Sequence, residues 1–291
     1  MAAVAKTSGP RPTGAVRRER LFRLLDQRDT HPVTWVCGPA GAGKTTLVAT
    51  YLEANKAPTL WYRIDPSDAD PATIFYYLSR AVGGASRRRA PLPLLAPEHT
   101  LDLASFSRRF FRAFYERLAP GSVVVLDDYE KIPADLPFHA VISHALAEIP
   151  HGMSVIAVSR EEPPAALTRL LVSRTMQTIP AEALRLTLEE TRSIATHETP
   201  VDEGAIHAMH AAADGWATGL ALMLKNSALN GAKRFRIDGY EALLDYFQTE
   251  LFKDFDAETQ KTQDTAIHTE LSFKSFSPKE ATLTCAVRGQ R

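Results

Sequence analysis

Residues 33–46, VTWVCGPAGAGKTT, set a short apolar run directly before a glycine-rich turn that ends in lysine and threonine. The spacing G-x-x-x-x-G-K-[ST] is filled in order by Gly38, Gly43, Lys44 and Thr45. Such a P-loop predicts a nucleotide phosphate site, because glycines let successive backbone N–H groups close on phosphate oxygens without a Cβ in the way. The candidate binding surface is the whole turn: Gly38, Pro39, Ala40, Gly41, Ala42, Gly43, Lys44, Thr45 and Thr46. A helix expected from about Lys44 adds the positive end of its dipole. Lys44 is placed to reach the β- and γ-phosphates, and the Thr45 hydroxyl to ligate Mg²⁺. The competing reading is a glycine-rich turn with no ligand. An apolar strand before the turn and apolar helical residues after it (Leu47, Val48, Tyr51, Leu52) weigh against that.

Residues 122–128, SVVVLDD, form the second landmark: four apolar residues that end in two acids. A buried parallel strand delivers carboxylates to its C-terminal edge in this way. The segment reads as a Walker B strand, with Asp127 expected to hold Mg²⁺, directly or through a water, opposite Thr45. Asp128 would then orient or deprotonate an attacking water; its alternatives are a helix cap or a solvated carboxylate. A further apolar run, 153–160, ends in Ser159 and Arg160. Arg160 at such an edge contacts a γ-phosphate or pairs with an acid such as Glu161 or Glu162. The catalytic candidates are thus Asp128, Lys44 and Arg160, and the metal candidates Thr45 and Asp127.

Around these motifs the chain divides by pattern. Residues 1–15 read as a loose, mobile arm. Residues 16–186 alternate helical spacing with short apolar runs, predicting an α/β domain with a parallel, doubly wound sheet sandwiched by helices. Asp70 and Pro71 look like the cap and first residue of a helix. Residues 83–97 read as a surface loop carrying Arg87, Arg88 and Arg89. At Thr187 the pattern changes: Thr187 with Glu190 makes a capping box, and 187–236 is expected to be a small helical domain. His207 and His210 share a helix face without a third metal ligand, so packing or exposure is expected there.

Composition narrows the function classes. Lys plus Arg at 34 balance Asp plus Glu at 34, which argues against a nucleic-acid grip over the whole surface. Two cysteines, Cys37 and Cys285, lie far apart and make no disulfide framework, which fits a reducing cytoplasm. No apolar signal core or spanning stretch occurs, so a cytoplasmic location away from membranes is expected.

Taken together, these residues resemble the ATPase module of the signal-transduction ATPases with numerous domains (STAND), in particular that of the large LuxR-type transcriptional regulators. The matching pieces are VRRERL at 16–21, GPAGAGKTT at 38–46, WYRIDPSDADPATIFYYL at 61–78, VVVLDDYEKI at 123–132, VIAVSR at 155–160 and GWATGLALM at 215–223. The resemblance implies ATP or ADP with Mg²⁺ between the sheet and the helical domain. It puts the arginine-rich first helix, Arg18 included, near the base and makes Arg160 a sensor of the γ-phosphate. Where relatives carry Gly-x-Pro near the adenine, this chain reads Gly215, Trp216, Ala217. Residues 237–291 resemble the start of the family's winged-helix domain and then depart from it. A truncated product without sensor and helix-turn-helix domains is therefore expected, with no direct DNA binding of its own.

The leading expectation is an ATP-binding signalling switch with slow hydrolysis and self-association in the ATP state. A P-loop small-molecule kinase is the alternative, with 87–89 as its only lid candidate. An inactive remnant is the third reading.

Overall fold

Among the described residues, five short strands form one parallel sheet: β1 (Val33–Cys37), β2 (Thr59–Arg63), β3 (Val123–Asp127), β4 (Ser154–Ser159) and β5 (Met176–Ile179), in the order β2-β3-β4-β1-β5. All four pairings are parallel. This computed structural model describes residues 5–12, 14–83, 91–96, 102–198 and 201–230. The segment 87–89 and the winged-helix expectation for 237–291 lie outside the described residues.

Alternate residues of each strand point to opposite faces, and each face meets its own helices. Trp35 and Cys37 of β1 join Val124, Leu126, Val155 and Ala157 on one side. There they meet α3 (Pro71–Gly83), α4 (Leu103–Tyr115) and α5 (Phe138–Ala147). Val36, Val123, Val125, Ile156 and Val158 face α1 (Glu19–Leu25) and α2 (Lys44–Ala54) on the other. The α4 sequence LASFSRRFFRAFY places Phe106, Phe110, Phe111 and Phe114 at helical spacing. Phe75 of α3 packs edge-on against Phe106 and Phe110, with centroids 4.9 and 4.8 Å away. A short helix α6 (Thr168–Val172) leads into β5.

Among the described residues, three helices follow β5: α7 (Leu188–Glu198), α8 (Glu203–Ala213) and α9 (Ala217–Asn230). At the start of α7 the Thr187 N–H donates to Glu190 Oε2 at 3.1 Å, and the Glu190 N–H to Thr187 Oγ1 at 3.2 Å. This reciprocal pair satisfies two orphan donors of the helix terminus. Helix α8 ends on Asp214 and Gly215, both left-handed at φ 48° and 73°. A Cβ on Gly215 would sit 2.9 Å from the Leu186 carbonyl, so the turn into α9 requires glycine. His210 Nδ1 hydrogen-bonds the Thr191 hydroxyl at 2.9 Å, and His207 faces Glu203 at 3.4 Å.

Residues 5–12 depart from the expected mobile arm. Lys6 is buried, with its ammonium 2.7 Å from Asp65 and 2.8 Å from Asp68. The rings of Tyr62 and Tyr77 lie 5.5 and 5.0 Å from it, and Gly9 lies against Trp61 of β2. β2 is the edge of the sheet, and this strap covers a flank that would otherwise stay open to pairing. Small polar residues of the arm hide that role, because its partners lie about sixty residues away, 59 from Lys6 to Asp65.

Candidate phosphate-binding site

The strand order decides what can meet at the carboxyl edge of the sheet. β4 lies between β1 and β3, and both Trp35 and Leu126 register with Ala157. One residue further along each strand, Val36 and Asp127 are therefore level with each other across β4. The P-loop leaves β1 at Gly38, whose N–H donates to the Ser159 carbonyl at 3.3 Å, and turns into α2 at Lys44.

The Thr45 hydroxyl donates to Asp127 Oδ1 at 3.1 Å, although the two are 82 residues apart in sequence. Asp127 is buried, and burial followed by the neighbouring Asp128 charge pushes its carboxyl above the usual range. The Thr45 hydroxyl and the Asp128 N–H oppose that shift. A hydroxyl and a carboxylate at this separation are hard oxygen donors suited to a small divalent cation. Among the described residues no group of three or more His, Cys, Asp and Glu could hold a metal. A cation at this pair would complete its shell with phosphate oxygens and water, the habit of Mg²⁺.

Lys44 is folded back into the loop, its ammonium donating to the Gly38 carbonyl at 2.5 Å and the Pro39 carbonyl at 2.9 Å. Desolvation lowers its pKa. A phosphate would be a stronger, charge-assisted acceptor for the same proton donors. The carbonyls of the next two residues are held from outside. Trp216 Nε1 donates to Ala40 O at 3.2 Å, and Thr218 donates to Gly41 O through Oγ1 at 2.9 Å and N at 3.1 Å.

Asp128 has φ 59°, and its side chain caps no helix. A left-handed aspartate is uncommon and recurs at functional sites. Its carboxylate is 42% exposed and stands 3.7 Å from Arg63 Nε, so of the alternatives to a catalytic role the cap is the one not made. Arg160 pairs with Glu130 at 3.2 Å, and its N–H donates to the same carboxylate at 3.1 Å. Of the two alternatives, a γ-phosphate contact or an acid such as Glu161 or Glu162, this is an acid partner of another kind. Glu130 follows β3, the strand beside β4, and comes within reach through the sheet.

Arg18, expected near the base, is held at one end of its guanidinium, while its Nε has no hydrogen-bond partner. Its guanidinium donates to the Leu184 and Arg185 carbonyls at 2.9 Å each and to Glu190 at 3.0 Å. Burial lowers its pKa, against the raising effect of Glu190. The arrangement clamps the start of α1 to the start of α7.

Sequence reading therefore missed Glu130 and Thr218 as neighbours of the loop, Arg63 as a neighbour of Asp128, and the hold of Trp216 on the Ala40 carbonyl. Glu130 and Arg63 carried a usable signal, since both lie at or just beyond the carboxyl end of an apolar run. Thr218 carried none. No described helix is long and apolar enough to cross a membrane.

A family model described as an AAA domain matches residues 27–162. The HTH-type transcriptional regulator MalT of Serratia proteamaculans is 30% identical over 268 residues, covering 88% of this chain and 29% of that protein. MalT of Vibrio cholerae is 30% identical over 213 residues, covering 72% of this chain and 23% of that protein. The chain thus spans less than a third of the length of these curated relatives, 29% and 23%. Among solved structures, a Signal Transduction ATPase with Numerous Domains with a tetratricopeptide repeat sensor from Pyrococcus horikoshii superposes with TM-score 0.52 at 19% identity. It covers 77% of this chain and 32% of that one. A Walker-type ATPase of Pyrococcus abyssi gives TM-score 0.56 at 15% identity, covering 86% and 79%. At these identities both speak for the fold.

Proposed function

This chain carries a STAND-like P-loop ATPase module of the kind found in MalT-type regulators, and we propose that it works as an ATP-binding switch with slow hydrolysis. The observation that carries the reading is the Thr45–Asp127 contact of 3.1 Å, which brings the two Walker elements to one point. Lys44 would exchange its two loop carbonyls for the β- and γ-phosphates. Thr45 and Asp127 would hold Mg²⁺, which when bound screens the charge on the terminal phosphates. Asp128, with Arg63 beside it, would orient or deprotonate the attacking water. Arg160 would leave Glu130 in part to meet the γ-phosphate, giving ATP a contact that ADP lacks.

A switch of this kind needs differential affinity between two states. Inverting a 1:99 equilibrium takes about 5.5 kcal/mol. Contacts of Lys44, Arg160 and the cation with a γ-phosphate in one state only would supply much of it. Self-association of the ATP form belongs to the same proposal, by likeness to the longer regulators.

Lys44→Ala tests the reading. ATP at about 100 times its Kd should stabilise the wild-type chain by about 2.7 kcal/mol and the variant not at all. Equal stabilisation of both in thermal melts would refute nucleotide binding at this loop.

A further inference from the structure

The G-x-x-x-x-G-K-[ST] pattern leaves position 41 free, yet this chain has glycine there. Two reasons meet there, the left-handed backbone of the loop itself and the approach of α9. Gly41 has φ 73°, and a Cβ on it would stand 2.6 Å from Thr218 Oγ1 and 2.7 Å from the Trp216 ring. Only a glycine lets the loop pass this close to the helical layer.

The contact is also a polar one. Thr218 is the second residue of α9, and its N–H is one of the donors that a helix start cannot satisfy internally. That donor and the Thr218 hydroxyl both go to the Gly41 carbonyl, at 3.1 and 2.9 Å. The Trp216 indole N–H takes the Ala40 carbonyl at 3.2 Å. In a planar trans peptide, fixing a carbonyl fixes the N–H across the same bond on the opposite side. The peptide planes 40–41 and 41–42 are thus set from outside the loop, while Lys44 holds the carbonyls of Gly38 and Pro39 from inside.

We propose that Thr218, assisted by Trp216, is a positioning residue for the phosphate loop. It holds the loop in its phosphate-accepting shape and makes docking of α9 and binding of the terminal phosphates one linked equilibrium. Without α9 the loop loses three donors, and without the loop α9 loses the acceptor that caps its start. Linkage is reciprocal: whatever a docked α9 adds to phosphate affinity, bound phosphate adds to the docking of α9. This inference rests on the nucleotide-binding reading above, and it concerns the phosphates rather than the base.

The test uses the full 291-residue chain with Thr218→Val, Thr218→Ser and Trp216→Phe. Calorimetric titration with ADP and with inorganic pyrophosphate is paired with hydrogen exchange of residues 38–46 in the nucleotide-free protein. Thr218→Val should weaken both ligands about tenfold, as loss of one well-placed hydrogen bond does, with Thr218→Ser within about twofold of wild type. Trp216→Phe should weaken both ligands in the same sense, and exchange at 38–46 should quicken in Thr218→Val but not in Thr218→Ser. Unchanged ADP affinity and unchanged loop exchange in Thr218→Val would overturn the proposal. A wild-type chain that binds neither ligand would instead remove the nucleotide reading, and the exchange result would still show whether Thr218 shapes the loop.

Discussion

The helical layer α7–α9 meets the sheet layer at two seams built from opposite chemistry. At the start of α7 the seam is ionic and buried: Arg18 and Arg20 converge on Glu190, each at 3.0 Å, and on the carbonyls of 183–185. At the start of α9 the seam is neutral, an indole, a hydroxyl and an amide on two loop carbonyls. A buried ion pair is costly to break because removal of one partner strands the other charge. A neutral hydrogen bond nets only about 1 kcal/mol. The first seam suits an anchor and the second a coupling that can open within the energy a ligand supplies. The layer itself adds few large apolar side chains, among them Ile206, Met209, Leu220, Met223 and Leu224. Polar links therefore matter more here than between the sheet and its own helices.

The hardest break is Glu190→Ala, which leaves Arg18 buried without its carboxylate and should cost about 3–5 kcal/mol in denaturant unfolding. The anchor also has a pH signature. Burial alone would raise the Glu190 carboxyl, but hydrogen bonding and charge from Arg18, with Arg20 and the Thr187 N–H, bring it below its ordinary value. A depressed folded-state pKa gives stability that is present above the ordinary glutamate range and is lost as pH falls through the folded value. Wild type should therefore exceed Glu190→Gln at neutral pH, and the gap should close on acidification. A gap independent of pH would show that the anchor is not electrostatic.

Asp127→Asn separates the phosphate site from either seam. The Asp127 carboxyl is raised by burial and by Asp128, so its ionisation costs stability as pH rises from the ordinary aspartate range through the raised value. In the absence of divalent cation the variant should be the more stable protein above that window. With Mg²⁺ it should bind ADP at least about tenfold more weakly. Melting curves and titrations with and without Mg²⁺ read the two effects apart, and a less stable variant in the cation-free state would contradict the burial argument.

The smallest effect is expected from Arg185→Ala. Arg185 pairs with Asp214 across the segment between the seams, but the two side chains are 58% and 76% exposed. Exposed pairs contribute about 0–1 kcal/mol. A loss above that range would mean that the ionic anchor extends along 181–187 rather than ending at Glu190.

Much of this was legible in local sequence. The P-loop, the acid-terminated strand at 123–127, the Thr187–Glu190 capping box and the alternation of apolar runs with helices each depend on neighbours within a few residues. Other features were not. The Lys6 strap was read as a mobile arm because a lysine among alanine, threonine and glycine shows no sign of Asp65 and Asp68. Glu130 was not among the acids suggested for Arg160, because it is adjacent in the sheet rather than in the sequence. The hold of the 184 and 185 carbonyls on Arg18 was not legible either, because backbone carbonyls carry no side-chain signature at all.

Sequence alone determined which backbone segments become strand, loop and helix here, and which residues are the candidates for phosphate and cation chemistry, because spacing and side-chain type act over one or two turns of chain. The tertiary structure alone decided the strand order that sets β4 between β1 and β3, the pairing of Thr45 with Asp127, and the grip of Thr218 on Gly41. Those contacts join residues 82 and 177 positions apart, and such pairings are selected by how whole layers pack, not by any pattern that either segment carries.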